Sequence, residues 1–359
     1  MKRLALALVL VVLAIPAASQ AAACSPLNCS PSQFLLGHGT LLGVRKAPDA
    51  PLRVVDLRTG QTRWRLPGGI VTGDTLVGQS PGLLTWYDTT TGERLHDAPL
   101  QLHGVFQLVG TSQDAKRAVL ARTQTRSTTF AIVSPGAQRI VKLGGGDWQF
   151  DALNGSNLIL IQQLRFGYEV RLYDLASNTL QPAALKDPRE SALIQGIPFA
   201  RASSASGRYL FTLYVGSDGG AMIHELDTVA GKAHCIDLPG NGDFSAAITW
   251  ALVPGGEGTL WAVSVGYGRI VRVDVAAHAV RRTATFNRAT WTSNAGVAAL
   301  ARDGTRIVVT DAQHIWLVSL KTLTVRAAPS HTAIAVAFST DGRRVIGIGQ
   351  RSSVFAIRA

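Results

Sequence analysis

The chain has 359 residues, 47% of them hydrophobic and only 16% charged. That composition excludes a disordered chain and allows a large core. The net charge of +12 favours acidic partners in principle. The basic residues are mostly arginine, scattered through a chain rich in Ala, Gly and Leu. They form no stripe interleaved with aromatics, so the charge reads as compositional bias and does not point to nucleic acid.

At the N-terminus, Lys2 and Arg3 precede Leu4 to Ile15, an unbroken run of twelve apolar residues. Pro16 ends the run, and a small-residue stretch, Ala17 to Ala23, follows. That order is the order of a secretory leader. The run is shorter than the roughly 20 apolar residues needed to span a bilayer. Residues 1–23 are therefore expected to be a signal peptide, cleaved after Ala21 or Ala23, with 24–359 as one exported domain. No later segment is long and apolar enough for a membrane helix.

One short pattern then recurs eight times: a β-branched or aromatic run, a polar residue, and a turn. The copies are Leu52–Asp56, Leu84–Asp88, Phe130–Ser134, Val170–Asp174, Ile223–Asp227, Ile270–Asp274, Ile315–Ser319 and Val354–Arg358. Five of the eight end in Asp, whose carboxylate accepts hydrogen bonds from the backbone two residues on and pre-forms a turn. Thr59-Gly60, Thr91-Gly92 and Ala230-Gly231 supply glycine where a hairpin needs a positive φ. Upstream of each copy lie two apolar runs around a tight turn, as at Asp303-Gly304 and Asp341-Gly342. Each unit thus reads strand, turn, strand, loop, strand, turn, strand, with no convincing helical period in the mature chain.

Four antiparallel strands per unit of about 40–50 residues is the blade of a β-propeller. Val54-Val55-Asp56-Leu57-Arg58-Thr59-Gly60 and Trp86-Tyr87-Asp88 through Gly92 resemble the strand-Asp-x-x-Thr-Gly ending of WD-like, YVTN-like and quinoprotein-like repeats. The Gly-His and Trp-Asp dipeptides of true WD repeats are absent, so the resemblance is one of fold. It implies an all-β chain forming a single propeller of seven or eight four-stranded blades. Eight is favoured by the eight copies. Seven remains open because no fourth strand follows Val354–Arg358, and Cys29 to Leu36 is the segment expected to supply it. Trp261 and Trp316, each in a dense apolar run, are expected to be buried.

No catalytic motif stands out. The eight histidines show no close metal-ligand spacing, there is no Gly-x-Ser-x-Gly elbow, and no Asp-rich calcium loop occurs. No metal site or cofactor is implied. The expected function is a non-catalytic platform binding a protein, peptide or anionic glycan at the envelope or outside the cell. A propeller hydrolase or lyase with an axial metal is the alternative. Loops between second and third strands ring one mouth of such a channel, and they carry Arg126, Arg165, Phe166, Tyr168, Tyr267, Arg269 and Arg351. Arg and aromatic side chains are the types in which binding energy concentrates, so these form the candidate surface. Export also allows disulfides. Cys24 and Cys29 flank a turn-like spacer and are expected to pair, leaving Cys235 in an outer strand of the fifth unit. A lipid on Cys24 is the second choice, because Ala21 stands where a lipobox prefers a branched residue.

Overall fold

A computed structural model describes residues 32–359, apart from 48, 166, 190–192, 257, 287–296, 311–312, 329–331, 350 and 352. Cys24, Cys29, Phe166 and the leader lie outside the described residues. Eight antiparallel sheets follow one another along the chain, each with its strands adjacent in chain order. Seven have four strands, and the eighth has three, Ala335–Phe338, Arg344–Ile348 and Val354–Arg358. The first strands of seven sheets, and Ala333 and Ile334 just before that of the eighth, line a common central cavity. The chain is an eight-bladed β-propeller. All eight recurring runs are the third strands of their blades.

Ser32–Leu36, the described part of the segment expected to complete the last blade, belongs to the first blade. Ser32–Leu36 pairs antiparallel with Leu41–Arg45, from Ser32↔Arg45 to Leu36↔Leu41, and is the first strand of blade one. The cause is local. The Thr40 N–H returns to the Leu36 carbonyl at 3.1 Å, and a hairpin forms at a much smaller loop-closure cost than pairing with the far end of the chain.

Among the described residues, side chains join the first blade to the last two. Gln33 donates its amide N–H to the Ala298 carbonyl at 2.8 Å and accepts the Val336 N–H at 2.9 Å, joining blade one to blades seven and eight. Behind it, Leu42, Val44, Val55 and Leu57 pack in one cluster with Val308, Val336, Phe338 and Ile346. Each blade is covered on both faces by its neighbours. Strands such as Ser127–Ser134 are therefore buried over six consecutive residues, which a one-sided sheet would not allow. Trp261 and Trp316 are 9% and 6% exposed, packed in the seam between blades six and seven.

The recurring aspartates hold turns. Asp56 Oδ1 accepts the Arg58 and Thr59 N–H groups at 2.7 and 3.0 Å, and Asp227 Oδ1 accepts those of Val229 and Ala230 at 3.1 and 2.9 Å. Asp88, Asp174 and Asp274 do the same. Burial pushes the Asp227 carboxyl up, but Arg208 and these N–H donors outweigh it and hold it below the usual carboxylate range. Helix is confined, among the described residues, to Phe244–Ala247, capped by the Asp243 carboxylate on the Ala246 N–H at 3.1 Å. At Gly110 a Cβ would lie 2.0 Å from the Phe150 ring, so glycine there lets blades three and four meet at the axis.

Candidate functional site

Several first strands place small residues at the axis, such as Gly110, Ala152, Ala251 and Ala298. They leave a central channel of about 1700 Å³. Its wall mixes polar and cationic groups with apolar ones, aromatic rings such as Phe34, Phe150 and Phe199 among them. Arg45, Lys46, Arg122 and Arg201 line it, against one carboxylate, Asp151. No histidine lines it among the described residues.

Asp151 sits at a β-bulge in the first strand of blade four, Trp148–Asn154. Arg201, on Ile197–Ser203 of blade five, bonds its Oδ1 at 2.5 Å through Nη2. The carboxylate side chain is 4% exposed and the guanidinium 33%, so Arg201 neutralises a nearly buried charge. Behind the pair lies His224, whose ring meets Tyr214 edge-on at 6.3 Å. Burial pushes the His224 imidazole down to about 4, opposed by the charge of Asp151, so it is neutral at physiological pH.

The remaining cations face the channel from blades one and three. Arg45 donates to the Gly69 carbonyl and lies 5.2 Å from the Phe34 ring centre. Arg122 donates to the His103 carbonyl at 2.6 Å and lies 5.4 Å from the Phe106 ring. Lys46 is exposed. Beside them Leu35, Val105 and Val109 are 44%, 81% and 37% exposed. An aliphatic surface next to fixed cations can hold a chain that is apolar in part and acidic in part. The Thr72 and Thr111 hydroxyls are bonded to each other at 2.6 Å across the adjoining blades.

Arg126, Arg165 and Arg351 are exposed in turns between second and third strands, and Arg269 is half-buried. The two described aromatics of the candidate surface serve the fold. Tyr267 is 7% exposed, and its hydroxyl bridges the Gly219 and Asp243 carbonyls at 2.8 and 2.9 Å. Tyr168 donates its hydroxyl to the Gly196 carbonyl and pairs its backbone with Ile194, tying blade four to the entry of blade five; burial pushes its phenol up. Arg45, Arg122, Asp151 and Arg201 carried no motif in the sequence. Their signal is a polar residue interrupting a short apolar strand.

No family model matches the chain, and no curated protein matches it. Solved structures do match. The likeness is one of fold. Dihydro-heme d1 dehydrogenase NirN in complex with DHE is 14% identical with a TM-score of 0.53, over 93% of this chain and 76% of that one. AztD from Citrobacter koseri is 13% identical with a TM-score of 0.53, over 82% and 85%. Chaetomium thermophilum Sqt1, bound to the N-terminus of the ribosomal protein L10, is 15% identical with a TM-score of 0.50, over 93% and 98%. A dehydrogenase and a peptide-bound propeller match about equally well, so function has to be argued from the site.

Asp151 is the one lining carboxylate and is bonded to Arg201. Among the described residues no three His, Cys, Asp or Glu side chains are disposed to hold a metal ion.

Proposed function

We propose that this propeller is a non-catalytic binding platform that receives an acidic, partly aliphatic segment of a partner protein at the mouth of its axial channel. The observation that carries the reading is the channel wall itself, with four cations against one carboxylate and exposed Leu35, Val105 and Val109 beside them. The described aromatics of the loop surface, Tyr168 and Tyr267, are engaged in packing and loop bonds, so the aliphatic side chains and cations at the mouth support a peptide partner. Sqt1, which shares the fold, is bound to the N-terminus of another protein.

The reading includes export, supported by the leader-like residues 1–23, with Cys24 bridged to Cys29. N-terminal sequencing and intact mass of the protein from its producing cells check both parts. An intact leader overturns export, and a diacylglyceryl mass on Cys24 overturns the bridge.

The main test is fluorescence anisotropy with labelled peptides of matched length, one acidic and aliphatic, one basic. The acidic peptide should bind with a clear salt dependence. Lys46→Glu with Arg126→Glu, both exposed positions, should weaken it by roughly tenfold, since each surface charge contact is worth up to about 1 kcal/mol. Equal binding of the basic peptide, or undiminished binding by the folded double variant, defeats the proposal.

A further inference from the structure

Away from the channel, the outer edge of blade eight is open among the described residues. In the other seven blades a fourth strand covers the third; in blade eight no described strand lies beyond Val354–Arg358. The third strand of blade three is buried from Thr128 to Val133. In blade eight Val354 and Phe355 are half-buried, and Ala356 and Arg358 are exposed. A strand paired on one side only presents a row of N–H and C=O groups to any extended chain that meets it.

The side chains around this edge carry one sign of charge. Arg358 lies directly opposite Arg344 of the second strand, so the two project from one face of the blade. That face looks toward blade one. Arg344 Nη2 donates to the Arg58 carbonyl at 3.0 Å, and a Cβ at Gly60 would lie 3.7 Å from Val354 Cγ1. Blade one presents a second pair, Arg53 and Arg65, directly opposite each other on its third and fourth strands, Leu52–Asp56 and Thr62–Leu66. Val54 and Trp64 of those strands pack toward Leu76 and Tyr87 of blade two. Val55 packs in one cluster with Val336 and Ile346 of blade eight. Alternation therefore turns Arg53 and Arg65 toward blade eight.

Like charges directly opposite each other destabilise a sheet, and here two such pairs border one slot. Arg65, Arg344 and Arg358 are exposed and make no ion pair among the described residues. Burial, then the Arg65 charge, lowers the Arg53 guanidinium from its ordinary value. The carboxylate near Arg344, Asp341, is taken up in its own turn, where it accepts the Ser339 hydroxyl at 2.6 Å and the Arg343 N–H at 3.0 Å. A charge on an edge strand also guards against edge-to-edge pairing, which accounts for Arg358. It does not account for Arg53 and Arg65, which stand on the neighbouring blade and face the same slot.

We propose that this slot receives an extended acidic strand of a partner protein, which pairs with Val354–Arg358 as the fourth strand of blade eight and sets its carboxylates against Arg53, Arg65, Arg344 and Arg358. The surface is separate from the channel and does not rest on the function proposed for it. Main-chain hydrogen bonds give an added strand its affinity, and side chains at alternate positions give it specificity. Successive residues point to opposite faces, so the carboxylates belong at every second position, over the five residues of the open strand. β-Branched residues suit the positions between.

Charge complementarity selects this occupant over two others. A second copy of the chain, paired edge to edge, brings two sets of these arginines into one interface. Residues 24–31 carry no acidic side chain, and Pro26 and Pro31 lack the N–H that a ladder needs.

The test combines fluorescence anisotropy and amide exchange on the full chain, with two labelled peptides of one composition. One alternates, Thr-Glu-Val-Glu-Ile-Glu-Thr; the other is blocked, Glu-Glu-Glu-Val-Ile-Thr-Thr. The alternating peptide should bind about tenfold more tightly and should slow exchange of residues 354–358, which a peptide lodged in the channel would leave unchanged. Arg65→Glu with Arg358→Glu, both exposed positions, should weaken it by roughly tenfold. Equal binding of the two peptides, exchange at 354–358 that the peptide does not alter, or undiminished binding by the folded double variant overturns the proposal. So does full protection of 354–358 without peptide, the result expected if this chain or a second copy already fills the slot. If the double variant does not fold, Arg65→Gln with Arg358→Gln takes its place, and undiminished binding there overturns the proposal equally.

Discussion

Replacing Gln33 by Ala tests what closes the ring. The carboxamide satisfies two strands at once, the Val336 N–H at 2.9 Å and the Ala298 carbonyl at 2.8 Å. Val336 is fully buried, so its N–H loses its partner where water has little access, at about 1–3 kcal/mol. The Ala298 carbonyl keeps a second lone pair for its ladder, so its loss is that of one ordinary bond, about 0.5–1.5 kcal/mol. Together Gln33→Ala should destabilise by about 2–4 kcal/mol. Denaturant unfolding with an unchanged m-value is the assay. Gln33→Glu separates the halves, because a carboxylate still accepts from Val336 and no longer donates to Ala298. A Gln33→Ala variant within about 0.5 kcal/mol of wild type refutes the argument, since changes that small are typical of surface sites. The apolar cluster of Leu42, Val55, Val336 and Phe338 would then close the ring alone.

Two other predictions concern the blades. Asp227→Ala removes the acceptor of two turn N–H groups and the partner of Arg208; it should cost about 1–2 kcal/mol, as loss of a cap does, measured by chemical denaturation. The carboxyl of Asp227 is depressed in the fold, so its contribution is present above the unfolded carboxyl range near pH 4 and is lost as pH falls below that; the Asp227→Ala deficit should shrink toward pH 2. Gly110→Ala drives a Cβ into the Phe150 ring and should destabilise by about 1–3 kcal/mol. Phe150→Leu in the same chain should restore part of that loss, and a calorimetric melt in which the double variant is no better than Gly110→Ala contradicts the steric account.

The third strands were legible because two signals coincide there, a dense apolar run and an Asp whose turn-forming bonds are local. The first strands were harder. Ile70–Thr72 spans three residues and Ala335–Phe338 four, too few for alternation to mark a strand in the sequence. The blade number turned on Ser32–Leu36, where a common expectation for propellers competed with the short turn to Leu41–Arg45, and the turn decides. The channel cations were invisible because Arg45, Arg122 and Arg201 belong to three blades and share no spacing. Tyr168 and Tyr267 were singled out by residue type. Their hydroxyls hold loops together, which residue type alone does not reveal.

The two ends of the ring differ chemically, and the difference follows from strand order. Turns between first and second strands, and between third and fourth, emerge at one end; the other loops emerge at the opposite end. At the first end Asp56, Asp88, Asp174, Asp227 and Asp274 bind backbone N–H groups in one set of turns, and Asp114, Asp303 and Asp341 do so in the other set. Substituting any of these carboxylates weakens a turn by about 1–2 kcal/mol. The opposite end carries Lys46, Arg126, Arg165 and Arg351 on exposed turns, together with the longer connections that lead from one blade to the next. Their side chains can change without breaking a blade. The turn-holding carboxylates of this propeller therefore gather at one end, and the proposed partner surface is at the other. The cation-lined channel opens between them, which is why its charge, rather than its shape, is the property to vary first.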